Sequence, residues 1–198
     1  MIESGIIEKL NSLDCNITSI LNYDGGLFQD YLWLVFSSSL VWTVPALALI
    51  AFLICKRLSY KQILIVVVAL ILVITLCDQF TSSLLKPLVG RLRPSHTPGL
   101  MDVLHYVGEY RGGRYGFPSS HAANSFGATM FVSLLVKRRW VTIALVLLTL
   151  CVCYSRIYLG VHFFGDIVVG GLIGCTFGYA VYCWCPVKLY HNKKLLAS

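Results

Sequence analysis

Eight side chains suited to holding and transferring an anion fall into three short clusters. The first is Lys86-Pro-Leu-Val-Gly-Arg-Leu-Arg93-Pro94, the second Pro118-Ser119-Ser120-His121, and the third Ser155-Arg156 followed by His162 and Asp166. A phosphate monoester carries nearly two negative charges, and cations with several donors suit it; arginine adds a planar fork for two oxygens at once. Lys86 and Arg93 stand at the two ends of the first cluster and Arg156 lies in the third, so they can surround one tetrahedral group. Backbone N–H groups and hydroxyls of Ser119 and Ser120, at the expected start of a helix, add donors where the helix dipole favours an anion. His162 and Asp166 stand at i and i+4 on one helix face. Asp166 can accept from one imidazole nitrogen and fix the tautomer, which leaves the other nitrogen free to attack phosphorus. No cluster of Asp, Glu and His at ligand spacing accompanies these groups, so neither a metal nor another cofactor is expected.

The chain that must position them is very apolar. Of 198 residues, 57% are hydrophobic and 13% charged, against about a quarter charged in soluble domains. Mean hydropathy is +0.75. These values exclude a disordered or collagen-like chain and argue against a soluble globule. Five apolar stretches are read as membrane-spanning helices: residues 31–55, with Pro45 expected to kink it; 63–85, which Pro87 should end before Lys86; 122–136; 140–154, short by itself but extendable to 158; and 163–185. In the last, Gly170, Gly174 and Gly178 stand four apart, the pattern of close helix packing. Ile6, Leu10, Leu13, Ile17 and Ile20 recur at helical spacing with polar residues between them. That predicts an amphipathic helix lying in the interface or packed on the core, and Asp24-Gly25-Gly26 reads as the turn after it. The first eleven residues carry Glu3, Glu8 and Lys9 and lack the pattern of a secretory signal, so the first apolar run should stay in the membrane. The expected fold is an all-α polytopic bundle of about five spanning helices, six if the N-terminal segment is counted, forming a single domain over 1–198 with its motif-bearing core at 78–185.

The net charge of +7 divides by location. Lys56, Arg57, Lys61, Lys137, Arg138, Arg139, Lys188, Lys193 and Lys194 fall in loops that five spans put on one side, which the positive-inside rule makes cytoplasmic. The three chemical clusters then gather at helix ends on the opposite face. A nucleic-acid role is set aside, because no recognition motif accompanies the basic residues.

The three clusters resemble the signature motifs of the type 2 phosphatidic acid phosphatase superfamily: KxxxxxxRP, PSGH and SRxxxxxHxxxD. Every spacing matches, and the one departure is Ser120 where the pattern has Gly. A helical backbone there would tolerate serine. The resemblance covers residues 86–166 and implies an integral-membrane lipid phosphatase. It implies His162 as nucleophile through a phosphohistidine, Asp166 as its orienting partner, and His121 as the acid that protonates the leaving group and then activates water. Lys86, Arg93, Ser119, Ser120 and Arg156 would bind the phosphate. The implied partners are the bilayer and a lipid phosphate: undecaprenyl diphosphate, phosphatidylglycerophosphate, phosphatidate or a lipid A phosphate. The implied location is a bacterial inner membrane with the site facing the periplasm or exterior. A phosphotransferase of the same superfamily and a non-catalytic lipid-binding protein are the alternatives. The sequence carries no signal for oligomeric state.

Three features stand beside this reading. Asp78, about two turns before Lys86, is either polar glue in the bundle or a support for the site. Arg91, His96, His105, Glu109, Arg111, Arg114 and Tyr115 lie in a long loop, 88–116, that would reach over the head group. The eight cysteines, none in a CxxC pair, read as apolar packing residues.

Overall fold

The computed structural model describes residues 2–186. Lys188, Lys193 and Lys194 lie outside the described residues. Every regular element among the described residues is helical: α1 (Ile2–Leu21), α2 (Gly26–Ser37), α3 (Thr43–Cys55), α4 (Tyr60–Asp78), the short α5 (Lys86–Val89), α6 (Ser120–Val136), α7 (Arg139–Tyr158) and α8 (Phe164–Trp184). One isolated antiparallel bridge, Leu92 with Tyr115, ties the two ends of the long loop.

Three helices are long and apolar enough to cross a membrane: the continuous run Tyr60–Val89, α7 and α8. A fourth forms if α2 and α3 count as one span bent by 63°. The bend comes at Ser38, whose backbone is extended, and not at Pro45. Pro45 sits in the first turn of α3, where a missing N–H costs nothing. The 17 residues of α6 rise about 25 Å, and this helix packs against α4, α7 and α8 at the centre of the bundle.

Pro87 does not end its helix as its sequence context predicts. Residues Gln79–Leu85 are π-helical, and the Lys86 N–H donates to Thr81 O, five residues back. The wider turn accommodates a proline at the start of α5, and the chain leaves the helix only at Gly90, with a left-handed backbone (φ +64).

The glycine stripe of α8 packs directly on α6. A Cβ at Gly170, Gly174 or Gly178 would collide with the backbone carbonyl of Ser119, Ala123 or Gly127 respectively. This ladder sets the register between the start of α6 and the start of α8, where two of the chemical clusters lie.

The N-terminal helix docks with the opposite polarity to a soluble helix. Ile6, Leu10, Leu13 and Ile20 are all more than half exposed, while Thr18 and Asn22 are buried. The polar side chains satisfy helix ends that would otherwise be orphaned. Thr18 Oγ1 accepts from Phe164 N–H (3.2 Å) and Asp14 Oδ1 from Gly165 N–H (2.8 Å), both at the start of α8. Asn22 Nδ2 donates to the carbonyls of Ile157 (3.1 Å) and Tyr158 (2.7 Å), at the end of α7.

The chain direction of each helix sends Lys56, Arg57, Lys61, Lys137, Arg138 and Arg139 to the end of the bundle away from the three clusters. All eight cysteines are free thiols; Cys77, Cys153 and Cys185 are buried and Cys55 and Cys183 exposed.

Candidate active site

The three clusters converge at one end of the bundle, each from a helix terminus. Lys86 leaves the π-helical stretch and donates from Nζ to Ser120 Oγ at 2.8 Å. Ser120 is the first residue of α6 and so is helical, as its replacement of glycine requires. Its hydroxyl is a hub. Thr81 Oγ1 lies at 2.9 Å and Ser82 Oγ at 2.8 Å, and Ser82 in turn donates to Asp78 Oδ1 at 3.1 Å. Asp78 therefore reaches the cluster through two serines. Ser119 caps α6, accepting from Ala122 N–H, and its own N–H donates to Asp166 O at 3.0 Å.

The third cluster is the most deeply buried. His162 is 1% exposed and Asp166 fully buried. His162 Nδ1 faces Asp166 Oδ2 at 3.2 Å, and Asp166 Oδ2 also accepts from Phe163 N–H at 3.1 Å. On the other side of the ring, Nε2 lies 3.0 Å from Arg93 Nη1, which also donates to Val161 O at 2.9 Å. The ring is thus held with Nδ1–H toward the carboxylate and the Nε2 lone pair toward the cation. Burial, then the nearby charges of Arg93, Arg156 and Lys86, push His162 well below its ordinary value of 6.5, so its imidazole is neutral. Arg93 is lowered from 12.5 by burial and by Arg156 and remains a cation.

Arg156, almost wholly buried, donates to Ser37 Oγ and, at 2.8 Å, to Tyr110 Oη. Nε of both Arg93 and Arg156 is buried with no partner among the described residues, which leaves donors for a further acceptor. Lys86, Arg93, Ser120, His121 and Arg156 all line one cavity of about 540 Å³. The His121 side chain is exposed and hydrogen-bonds with no described residue. His162 is not on the cavity wall, because Arg93 lies between.

From the polar end the cavity runs between helices along Trp42, Leu49, Leu70, Ile74, Val132 and Leu145. An anionic group at the mouth and an apolar tail between helices is the shape of a lipid phosphate. The distribution of polarity follows from the helix ends, which bring charge, and the helix bodies, which bring aliphatic side chains.

A family model described as the PAP2 superfamily matches residues 62–189. The chain belongs to the PAP2 superfamily. This PAP2 protein is similar to a lipid A 4'-phosphatase of Bacteroides thetaiotaomicron, 41% identical over 178 residues, which cover 89% of this chain and 79% of the relative. It is 34% identical to a lipid A 4'-phosphatase of Porphyromonas gingivalis over 97% of this chain and 80% of that one. Among solved structures, a transmembrane PAP2-type phosphatidylglycerolphosphate phosphatase from Bacillus subtilis shares the fold, with a TM-score of 0.67, 20% identity, and 89% and 86% of the two chains covered. The protein is an integral-membrane phosphatase, a hydrolase of phosphoric esters.

The fold adds residues that the sequence reading did not single out. Ser37 and Tyr110 hold Arg156, and Gly112 and Gly113 join the cavity wall. Of the loop residues that reading named, Arg91 reaches Asp166 (2.9 Å) and Arg111 stacks over Tyr106 (4.0 Å) away from the cavity. His96, Glu109, Arg114 and Tyr115 do not line the cavity either. The fold also creates an acidic group with a histidine that local spacing hides: ligand atoms of Asp24, Asp30 and His105 lie within 4.8 Å of one another. His105 Nε2 pairs with Asp30 at 2.8 Å and Tyr158 Oη donates to the same oxygen at 2.7 Å. None of the four lines the cavity.

Proposed function

We propose that the protein removes a phosphate from a lipid head group at the outer face of a bacterial inner membrane, through a phosphohistidine on His162, with the 4'-phosphate of lipid A as its substrate. One observation carries the chemistry: Lys86 at the start of α5, Arg93 on the extended segment that follows it and Arg156 near the end of α7 converge beside His162 at the mouth of an apolar cavity. The two lipid A 4'-phosphatases at 41% and 34% identity, each covered over more than three quarters of its length, support the choice of lipid.

The steps follow from the arrangement. Lys86, Arg93 and Arg156 take the non-bridging oxygens, aided by Ser119 and Ser120 at the start of α6, and stabilise charge on the transferring group. Arg93 turns its donors from His162 to the phosphate and so uncovers Nε2. Nε2 attacks phosphorus while the bond to the leaving sugar oxygen breaks, and His121, on the cavity side and carrying a proton in the substrate complex, where the phosphate's charge offsets the three cations, gives that proton to the leaving oxygen. Asp166 stabilises the positive ring. Water, deprotonated by His121, then attacks phosphorus; the P–N bond breaks, inorganic phosphate leaves and His162 is restored. No metal enters these steps. The whole chain acts as one membrane-embedded unit with five spans, α2 and α3 forming the first.

A substrate panel with purified protein in detergent tests this. Lipid A should be dephosphorylated at least about tenfold more efficiently than phosphatidate, phosphatidylglycerophosphate or undecaprenyl diphosphate, a ratio typical of modest pocket discrimination. His162→Ala should lose on the order of 10³-fold or more in kcat, and His121→Ala about 10²–10⁴-fold. Full activity in His162→Ala would refute the nucleophile, preference for another lipid would refute the substrate, and strict dependence on added Mg²⁺ would refute the metal-free route.

A further inference from the structure

Asp166 has two carboxylate oxygens, and His162 uses one. The other, Oδ1, receives Arg91 Nη1–H at 2.9 Å. A carboxylate with no exposed surface is costly to keep unless it is paired. Lys86, Arg93 and Arg156 turn toward the cavity, and none of them is hydrogen-bonded to Asp166. Arg91 alone among the described cations forms an ion pair with it.

Arg91 is itself fixed from the far side. Its Nη2 donates to Asp14 Oδ2 at 2.7 Å and to Asn11 Oδ1 at 3.1 Å, both on α1. Its guanidinium lies 4.1 Å above the Phe163 ring. The second oxygen of Asp14 accepts from Gly165 N–H at 2.8 Å. One acid on the N-terminal helix thus grips both the arginine and the first turn of α8.

The backbone explains why Arg91 and Arg93 work as a pair. Gly116 N–H donates to Arg91 O at 2.9 Å and Arg93 N–H to Arg114 O at 3.1 Å, which holds residues 91–93 extended. Residues i and i+2 of an extended segment share a face, so both arginines reach the same His–Asp pair from one side. A Cβ at Gly116 would stand 3.0 Å from Asp166 Oδ2 and 3.1 Å from Arg93 Cγ. Glycine is what lets this ribbon lie so close.

We propose that Arg91, anchored by Asp14, is a positioning residue that fixes the Asp166 carboxylate against His162 Nδ1. The proposal rests on His162 being the nucleophile. Without Arg91, the buried carboxylate either takes a proton or turns away, and in both cases His162 loses the acceptor that sets its tautomer and steadies its positive state. Lysine would keep the charge but cannot bridge Asp166 and Asp14 with one rigid fork.

The test uses the full-length protein in detergent, with kcat and KM measured for Arg91→Gln, Arg91→Lys, Asp166→Asn, the double variant Arg91→Gln/Asp166→Asn, and His162→Ala. Arg91→Gln should lower kcat by about 10–100-fold, the scale of a small misplacement at a reacting centre, while KM stays within about threefold. Arg91→Lys should recover part of the loss. The double variant should be no slower than Asp166→Asn, because Arg91 acts through Asp166. Wild-type kcat in Arg91→Gln, multiplying losses in the double variant, or a raised KM at unchanged kcat would each overturn the proposal. If Arg91→Gln does not fold, Asp14→Asn decides. It keeps an oxygen for Gly165 and removes the charge facing Arg91, so kcat should fall severalfold at constant KM, and an unchanged kcat would overturn the proposal. Activity surviving in His162→Ala would instead overturn the nucleophile reading, whatever Arg91 does.

Discussion

Gly174→Ala is a sharp perturbation of how this fold holds its site, because it adds one methyl far from the chemistry. Gly174 lies eight residues after Asp166, about 12 Å along the helix. The new Cβ would collide with the Ala123 carbonyl and stand 2.9 Å from the Gly127 nitrogen, where ordinary contact begins at 3.4 Å. Both are backbone atoms of α6, so no side-chain rotation relieves the overlap. The two helices must slide or part by about 1 Å. Such overpacking costs about 1–3 kcal/mol, and it is delivered to the site directly, since α6 begins at Ser120 and His121 and α8 just after His162. A misplacement of about 1 Å costs on the order of 10²-fold in rate. The expected result is a kcat lowered about 10–100-fold, a Tm lower by several degrees, and a KM that changes less than kcat. Gly113→Ala is the control: it lines the same cavity, its added Cβ meets nothing within 4 Å, and it should stay within about twofold of wild type. Wild-type kcat and Tm in Gly174→Ala would show that the α6–α8 contact does not set the site.

Two further outcomes are expected. Burial and three cations hold His162 below 6.5, so the unfolded chain binds a proton there that the native state does not. That contribution to stability is therefore lost as pH falls below 6.5; in substrate-free protein, Tm should drop on acidification from pH 7 to 5, and His162→Asn should drop less. For orientation, Val103→Cys places an exposed thiol on the long loop. A membrane-impermeant thiol reagent added to intact cells or spheroplasts should label it, and labelling only from the cytoplasmic side would reverse the proposed topology.

The membrane class, the glycine stripe and the chemical clusters were legible because each depends on local pattern. Apolar length, a spacing of four, and i to i+4 pairing are all written within one helix. His162 with Asp166, and a helical Ser120, are of this kind. The kink expected at Pro45 falls at Ser38, and the helix expected to end before Lys86 runs on to Val89 through a π-helical stretch, because proline marks where a helix is stressed but not how neighbouring turns absorb it.

Other features depended on contacts between distant parts of the chain. Arg91 with Asp166, Arg156 with Tyr110 and Ser37, and Asn22 with the end of α7 join residues 46 to 136 positions apart. Local spacing carries no record of such pairs. The N-terminal helix is the clearest case. Its period was readable, but not which face meets the protein, since lipid is as apolar as a core. In this fold Ile6, Leu10, Leu13 and Ile20 face outward, and Asp14, Thr18 and Asn22 turn inward to close the ends of α7 and α8. The sequence by itself determined which groups could hold a phosphate. Only the tertiary structure decided what holds those groups, because a buried charge or an orphaned helix end takes whichever partner packing brings within hydrogen-bond reach.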